Sequence, residues 1–145
     1  MINARILVVD DDAMNVAVVE GMLADAGFVQ VRSTMDSRQV VPLCREFRPD
    51  MILLDLRMPH IDGLGVLEGI AEAFRGEDFP PVIVLTADAT PATRNVALAA
   101  GAADFLTKPF NHTEALLRIA HLLDEYRAEQ DSAAKANLEA GLHAI

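Results

Sequence analysis

The ten residues from Met51 to His60, MILLDLRMPH, place a single carboxylate, Asp55, directly after four apolar residues. An unbroken apolar run of this kind predicts a strand that is covered on both faces, as in a parallel sheet. A buried, unpaired carboxylate is costly, so an aspartate at the end of such a strand suggests a functional role. The alternative is an aspartate that merely begins a turn.

Polar residues also follow other strand-like segments of the chain. These segments and the residues after them are 6–9 with Asp10 and Asp11, 82–85 with Thr86, and 105–107 with Lys108. Residues 29–32 are only half apolar, which suggests an edge strand. Parallel sheets bind ligands at the carboxyl ends of their strands. We therefore expect these polar residues to meet Asp55 at one edge of the sheet.

Helix-like segments separate the strands, because their apolar residues recur at the spacing of one helix face. The predicted helices cover residues 13–26, 36–47, 64–74, 91–100 and about 113–126. Five strands that alternate with five helices, with continuously apolar inner strands, predict an α/β fold. Right-handed crossovers then place a parallel sheet between two helical layers.

Particular residues predict four details of the helices. Pro42 removes a backbone donor, so the second helix should kink or start late. The fourth helix has few large apolar residues beyond Val96 and Leu98, so it should be loosely anchored. Thr113 is a suitable cap for the last helix. The residues of that helix expected to face the core are Leu116, Leu117, Ile119, Ala120 and Leu123.

Composition limits the class of protein. A chain of 145 residues, 52% hydrophobic, fits one globular domain, and its apolar runs are too short to cross a bilayer. A formal net charge of −10 argues against direct nucleic-acid binding, which needs clustered Lys and Arg. The N-terminus lacks the pattern of a signal peptide, so we expect a cytoplasmic location. The single cysteine, Cys44, predicts a buried, unreactive thiol.

The expected cluster of carboxylates has a definite chemistry. Three neighbouring carboxylates repel one another unless a cation neutralises them. Mg²⁺ meets that need, since it prefers oxygen ligands and is usually held by one or two carboxylates together with phosphate; Mn²⁺ is a possible substitute. In phosphoryl transfer, Mg²⁺, the Lys108 ammonium and the Thr86 hydroxyl can each take one phosphoryl oxygen. Asp55, ionised at neutral pH, is then the nucleophile.

Taken together, these motifs resemble the receiver domain of two-component response regulators. The segments that carry the resemblance are Val8-Val9-Asp10-Asp11, Leu54 to Pro59, Asp62-Gly63, Thr86-Ala87, Gly101-Ala102 and Lys108-Pro109-Phe110. The resemblance implies a flavodoxin-like (βα)5 fold with strand order 2-1-3-4-5. Residues 1–126 are then the receiver domain, and residues 127–145 a helical extension or linker.

The resemblance also implies a role for each site residue. Asp55 is the phosphoacceptor for a histidine kinase or a histidine phosphotransfer protein. Asp10, Asp11 and Asp55 hold Mg²⁺, and the backbone carbonyl of Arg57 completes the metal shell. The hydroxyl of Thr86 moves toward the phosphoryl group while the ring of Phe105 swings inward. Lys108-Pro109 is a cis peptide that aims the lysine.

Several positions are not fixed by the family pattern. Asp12 adds a third acid, for which we expect helix capping or solvent exposure rather than metal binding. Arg57 and Asp88 occupy variable positions, and we predict that they tune the lifetime of the acyl phosphate. Four charges lie where some relatives make dimer contacts, and we expect them to be solvated: Arg94, Asp104, Glu114 and Arg118.

Three functional readings remain open. The first is a regulatory receiver, not an enzyme in its own right. It controls either an output domain in the same chain or the formation of a homodimer. The homodimer would form through the face of the fourth helix, fifth strand and fifth helix, or through the C-terminal helix. The second is a stand-alone receiver that works as a phosphorelay shuttle or as a protein-binding switch. The third is a haloacid dehalogenase-like phosphohydrolase. Such enzymes place a second acid two residues after the nucleophile, and the presence of Arg57 at that position makes this hypothesis less favourable.

Overall fold

The computed structural model describes residues 3–55, 63–74, 80–87 and 90–143, with only the backbone described for 130–143. Strands and helices alternate along the described chain. The strands are β1 (Arg5–Val9), β2 (Gln30–Thr34), β3 (Met51–Asp55), β4 (Val82–Thr86) and β5 (Asp104–Thr107). The helices are α1 (Ala13–Asp25), α2 (Val40–Phe47), α3 (Gly63–Ala73), α4 (Pro91–Ala99) and α5 (His112–His143).

The five strands form one parallel sheet in the order β2-β1-β3-β4-β5. This order confirms the predicted flavodoxin-like α/β fold. The register aligns the carboxyl ends of the inner strands, with Asp55 opposite Leu85 and Thr86 opposite Thr107. The residues that end these strands are therefore brought to one edge.

Apolar side chains cover both faces of the sheet, which explains the unbroken apolar runs of β1, β3 and β4. On one face they pack against α2, α3 and α4; the strand residues involved are Leu7, Val9, Ile52, Leu54, Val82 and Val84. On the other face they pack against α1 and α5; these residues are Ile6, Val8, Met51, Leu53, Ile83 and Leu85. β2 lies at an edge and is largely exposed, as its half-apolar sequence predicts.

Pro42 delays the start of α2, as predicted. A short 3₁₀ turn, Ser37–Gln39, precedes the helix, which then begins at Val40. Pro42 therefore lies in the first helical turn, where its missing N–H is not needed for a helical hydrogen bond.

The helix α4 is weakly anchored to the sheet. Ala97 is its only buried residue, whereas Val96 and Leu98 are 49% and 39% exposed. The prediction of loose anchoring is thus confirmed. Val96 and Leu98 bury less apolar surface against the sheet than their size suggests. A single methyl group in the core provides little hydrophobic stabilisation.

Two predictions about α5 are wrong. Its cap is Asn111 rather than Thr113, since Asn111 Oδ1 accepts a hydrogen bond from the backbone N–H of Glu114 at 3.1 Å. Leu117 is 66% exposed, while Ile119 and Leu123 are buried as expected. Although α5 has 32 residues, neither it nor any other described helix is long and apolar enough to span a membrane.

Candidate functional site

Most of the buried polar residues that the structure describes lie at the carboxyl edge of the sheet. The full set of buried polar residues in the described part of the chain is Asp10, Ser37, Asp55 and Thr86, all less than 9% exposed. All except Ser37 end, or directly follow, one of the three inner strands. Since buried polar groups are costly unless they are paired or used, this concentration marks the edge as the candidate site.

Three carboxylates converge at this edge. One oxygen each from Asp10, Asp11 and Asp55 lies within 4.8 Å of the other two. Asp10 and Asp55 are buried and Asp11 is exposed, so the cluster opens to solvent on one side. This all-oxygen set fits a hard divalent cation such as Mg²⁺, because the repulsion between the carboxylates favours a bound positive charge.

The ammonium of Lys108 belongs to the same cluster. Its Nζ lies 2.9 Å from Asp10 Oδ2 and 3.8 Å from Asp55 Oδ2. The backbone of Lys108 is held at the end of β4, since its N–H donates to the carbonyl of Thr86 at 2.7 Å. The Lys108-Pro109 peptide is cis, as the resemblance implies. The predicted lysine is therefore within reach of Asp55, but it pairs first with Asp10.

The third acid of the DDD run is turned away from the cluster. Asp12 caps α1, and its carboxylate accepts a hydrogen bond from the backbone N–H of Met14 at 2.9 Å. Its own N–H donates to Asp10 Oδ1 at 3.0 Å. The capping role predicted for Asp12 is confirmed.

The two residues implied to switch lie on neighbouring strands. Thr86 ends β4 and is 1% exposed. Phe105 is 5% exposed and belongs to the part of the core that also contains Ala97 of α4. Phe105 is therefore buried beside the weakly anchored helix rather than in the carboxylate cluster.

A polar network that the sequence did not reveal surrounds the backbone of Phe105. The guanidinium of Arg118 donates to Asp104 Oδ1 at 2.8 Å, to the Phe105 carbonyl at 3.4 Å and to Glu114 Oε1 at 2.9 Å. Asp104 Oδ1 also accepts from the Phe105 N–H at 2.7 Å. Asp104, Glu114 and Arg118, which were expected to be solvated, thus form ion pairs with one another through Arg118. Only the Glu114–Arg118 pair had a sequence signal, its i,i+4 spacing.

Two predicted site residues, Arg57 and Asp88, lie outside the described residues. The metal-binding role of the Arg57 carbonyl and the tuning role of the Arg57 and Asp88 side chains therefore stay predictions.

Comparison with known proteins identifies the family of this chain. The family model of the response regulator receiver domain matches residues 6–120. Response regulator MprA of Mycobacterium ulcerans is 38% identical over 134 residues, which cover 91% of this chain and 55% of that protein. DNA-binding response regulator MtrA of Mycobacterium leprae is 33% identical over 144 residues, covering 97% and 62%. The chain thus spans roughly half to two thirds of these relatives.

A solved structure is similar to most of this chain. The receiver domain of sensor histidine kinase PA1611 from Pseudomonas aeruginosa PAO1 is 34% identical, with a TM-score of 0.75, covering 84% of this chain and 98% of that one. That structure is described with a magnesium ion coordinated in the active site cleft. These likenesses favour the receiver hypothesis over the phosphohydrolase hypothesis. The chain belongs to the response regulator receiver domain family.

Proposed function

We propose that this chain is a phosphorylation-activated switch of a two-component system, in which Asp55 accepts a phosphoryl group. The observation that carries the proposal is the convergence of the Asp10 and Asp11 carboxylates and the Lys108 ammonium on Asp55. A histidine kinase or a histidine phosphotransfer protein is the proposed donor, and a cytoplasmic location is proposed with it.

The proposed reaction uses groups of this chain directly. An oxygen of Asp55 attacks the phosphorus of a phosphohistidine, so that an O–P bond forms while the P–N bond breaks. The electron pair of the broken bond stays on the imidazole nitrogen. Asp55 needs no general base, since a carboxylate is already ionised. Lys108 and Thr86 each stabilise one phosphoryl oxygen through a charge-assisted or hydroxyl hydrogen bond.

Asp10, Asp11 and Asp55 are the residues proposed to hold Mg²⁺, with the Arg57 carbonyl as a further ligand. When bound, the ion supplies positive charge that neutralises the phosphoryl oxygens. The spacing of the three carboxylates supports this assignment, and Mn²⁺ would satisfy the same oxygen ligands.

A hollow beside Lys108 is the proposed contact for the phosphodonor. It has a volume of about 380 Å³ and lies between α1 and the residues after β5, with Val18, Val19 and Phe110 in its wall. On α1, Met14 and Val18 are 77% and 50% exposed. Apolar side chains next to Lys108 suit a partner surface that excludes water during transfer.

We propose that the output of the switch is a population shift that involves Thr86, Phe105 and the face formed by α4, β5 and α5. Moving most molecules from one state to the other requires about 5 kcal/mol of differential stabilisation. The weak anchoring of α4 supports this face as the moving part, because switching elements come from the less stable end of a fold.

The proposed target is an output domain in the same chain or a homodimer, with residues 1–126 as the receiver and 127–145 as the connection. The longer relatives support an output domain, and one of them is named as DNA-binding. The acidic charge of the present chain is unsuited to that task, so nucleic acid would be bound by another domain. A stand-alone phosphorelay shuttle is the alternative.

Two variable residues are proposed to set the lifetime of the phosphorylated state. Arg57 and Asp88 follow the acceptor and Thr86 by two positions each, and an ion pair between them would shield the acyl phosphate from water. Replacing both with Ala should change the rate of dephosphorylation, measured by the decay of the phosphorylated mass. An unchanged rate would refute this part of the proposal.

Intact-mass analysis after incubation with acetyl phosphate and Mg²⁺ tests the main proposal. The wild type and Asp25→Asn should each gain the mass of one phosphoryl group, since Asp25 ends α1 and takes no part in the cluster. Asp55→Asn should gain none, and a chelator should abolish the gain in the wild type and in Asp25→Asn. An equal gain in Asp55→Asn would show that Asp55 is not the acceptor.

A further inference from the structure

The three consecutive acids after β1 divide into two groups with different surroundings. Asp10 and Asp11 contribute oxygens to the carboxylate cluster, whereas Asp12 does not. The Asp12 carboxylate instead accepts from the backbone N–H groups of Met14 at 2.9 Å and Asn15 at 3.5 Å. These N–H groups belong to the first turn of α1 and have no partner within the helix.

Asp11 depends on its neighbours for its position. Its carboxylate is exposed and makes no hydrogen bond or ion pair with any residue that the structure describes. The residue before it, Asp10, is held by Lys108 and by a bond from its N–H to the Thr34 carbonyl at 3.2 Å. The residue after it, Asp12, is held by its cap. Asp11 is therefore fixed through the backbone, from both sides.

The cap also affects Asp10. The extended backbone of Asp12, with φ −98° and ψ 114°, directs its N–H to Asp10 Oδ1 at 3.0 Å. Without the Asp12 side chain, the turn before α1 would lose the capping hydrogen bonds that hold the Asp12 N–H in its orientation toward Asp10 Oδ1. Both acids of the cluster that precede α1 would then lose part of their orientation.

We propose that Asp12 is a positioning residue, whose cap on α1 presents Asp10 and Asp11 to a divalent cation that Asp12 itself does not touch. This inference rests on the proposed Mg²⁺ site. It assigns a role to the side chain as a hydrogen-bond acceptor and not to its charge. Asparagine and serine cap helices about as well as aspartate, whereas alanine does not.

Calorimetric titration of the metal-free protein with MgCl₂ at physiological salt, without a phosphodonor, separates the two roles. Asp12→Ala should raise the Mg²⁺ dissociation constant by about fivefold, the equivalent of one lost cap. Asp12→Asn and Asp12→Ser should stay within about twofold of wild type, because salt screens the lost charge. Asp36→Ala is the matched control, since Asp36 caps the 3₁₀ turn and is not in the cluster; it should bind Mg²⁺ like wild type.

Each other outcome counts against the inference. Equal weakening by Asn, Ser and Ala would show that the charge of Asp12 matters and its cap does not. Unchanged binding by Asp12→Ala would show that it positions nothing. Asp12→Ala is left out of this test if circular dichroism shows that it does not fold. In that case, an increase of the Mg²⁺ dissociation constant above about twofold in both Asp12→Asn and Asp12→Ser would still overturn the inference. A wild type that binds no Mg²⁺ would instead refute the proposed metal site.

Discussion

The ammonium of Lys108 donates a 2.9 Å hydrogen bond to Asp10 Oδ2 and so joins two residues that lie 98 positions apart in the chain. The Asp10 side chain is almost fully buried, and that of Lys108 is 19% exposed. In the absence of metal, Lys108 is therefore a counter-ion within the carboxylate cluster. A divalent cation has to share Asp10 with it.

Replacing Lys108 with Met should destabilise the metal-free protein and strengthen Mg²⁺ binding. The free energy of unfolding should fall by about 3 kcal/mol, because removing one partner leaves a buried charge unpaired. The Mg²⁺ dissociation constant should fall, since the competing cation is gone. Urea denaturation and calorimetry measure the two effects. Lys135→Met, which removes the only other lysine in the sequence, should change neither. Weaker Mg²⁺ binding by Lys108→Met would contradict the competition.

The backbone amides of α4 should exchange with solvent faster than those of α1. Ala97 alone anchors α4, whereas four residues of α1 are buried. Hydrogen exchange measured by mass spectrometry should also show that acetyl phosphate with Mg²⁺ changes exchange in α4 more than in α1. Asp55→Asn is the control, in which acetyl phosphate should have no effect. Equal protection of the two helices would argue against a mobile α4.

Alanine at two glycines should have opposite effects on stability. Gly21 lies inside α1, and an added methyl group there meets no atom within 4 Å. Gly21→Ala should therefore raise the free energy of unfolding by about 0.5–1 kcal/mol. Gly101 has equally open surroundings but φ +111°, so Gly101→Ala should lower it by about 1 kcal/mol or more. Urea denaturation checks both changes, and the same sign for both would refute the backbone explanation.

Burial raises the pKa of the Cys44 thiol to about 11, since the thiolate is poorly solvated in the core. In the unfolded chain the thiol ionises near its ordinary value of 9.0. The stability that Cys44 provides is thus fully present below pH 9 and is lost as the pH rises toward 11. Cys44→Ala should show a shallower fall of unfolding free energy over this range. Parallel pH profiles for the two proteins would contradict the shifted pKa.

The fold was predictable where burial on both faces made the strands continuously apolar, as in β1, β3 and β4. The edge strand β2 was predicted, but its bounds were not, because the range Gln30–Thr34 depends on pairing with β1 and not on its own apolar pattern. The cap of α5 was misassigned for a related reason. Asn111 and Thr113 are both good caps, and only the backbone geometry selects the first.

The gathering of Asp10, Asp11, Asp55 and Lys108 at one edge also followed from the sequence, since parallel strands bring their carboxyl ends together. The sequence did not predict that the Lys108 ammonium lies closer to Asp10 than to Asp55. This preference depends on distances of 2.9 and 3.8 Å between side-chain atoms, which no spacing of residues reports. The network of Arg118 around Phe105 was missed because two of its bonds cross from α5 to β5.

The helix α5 is long enough to amplify a small movement. The part that follows Leu123, its last described core residue, spans about 30 Å to His143, so a tilt of about 10° would carry the last turn through about 5 Å. The first turn follows Lys108-Pro109 closely, and Arg118 ties the second turn to the peptide of Phe105. A small displacement of β5 at the carboxylate cluster would thereby become a large displacement at the far end of the helix.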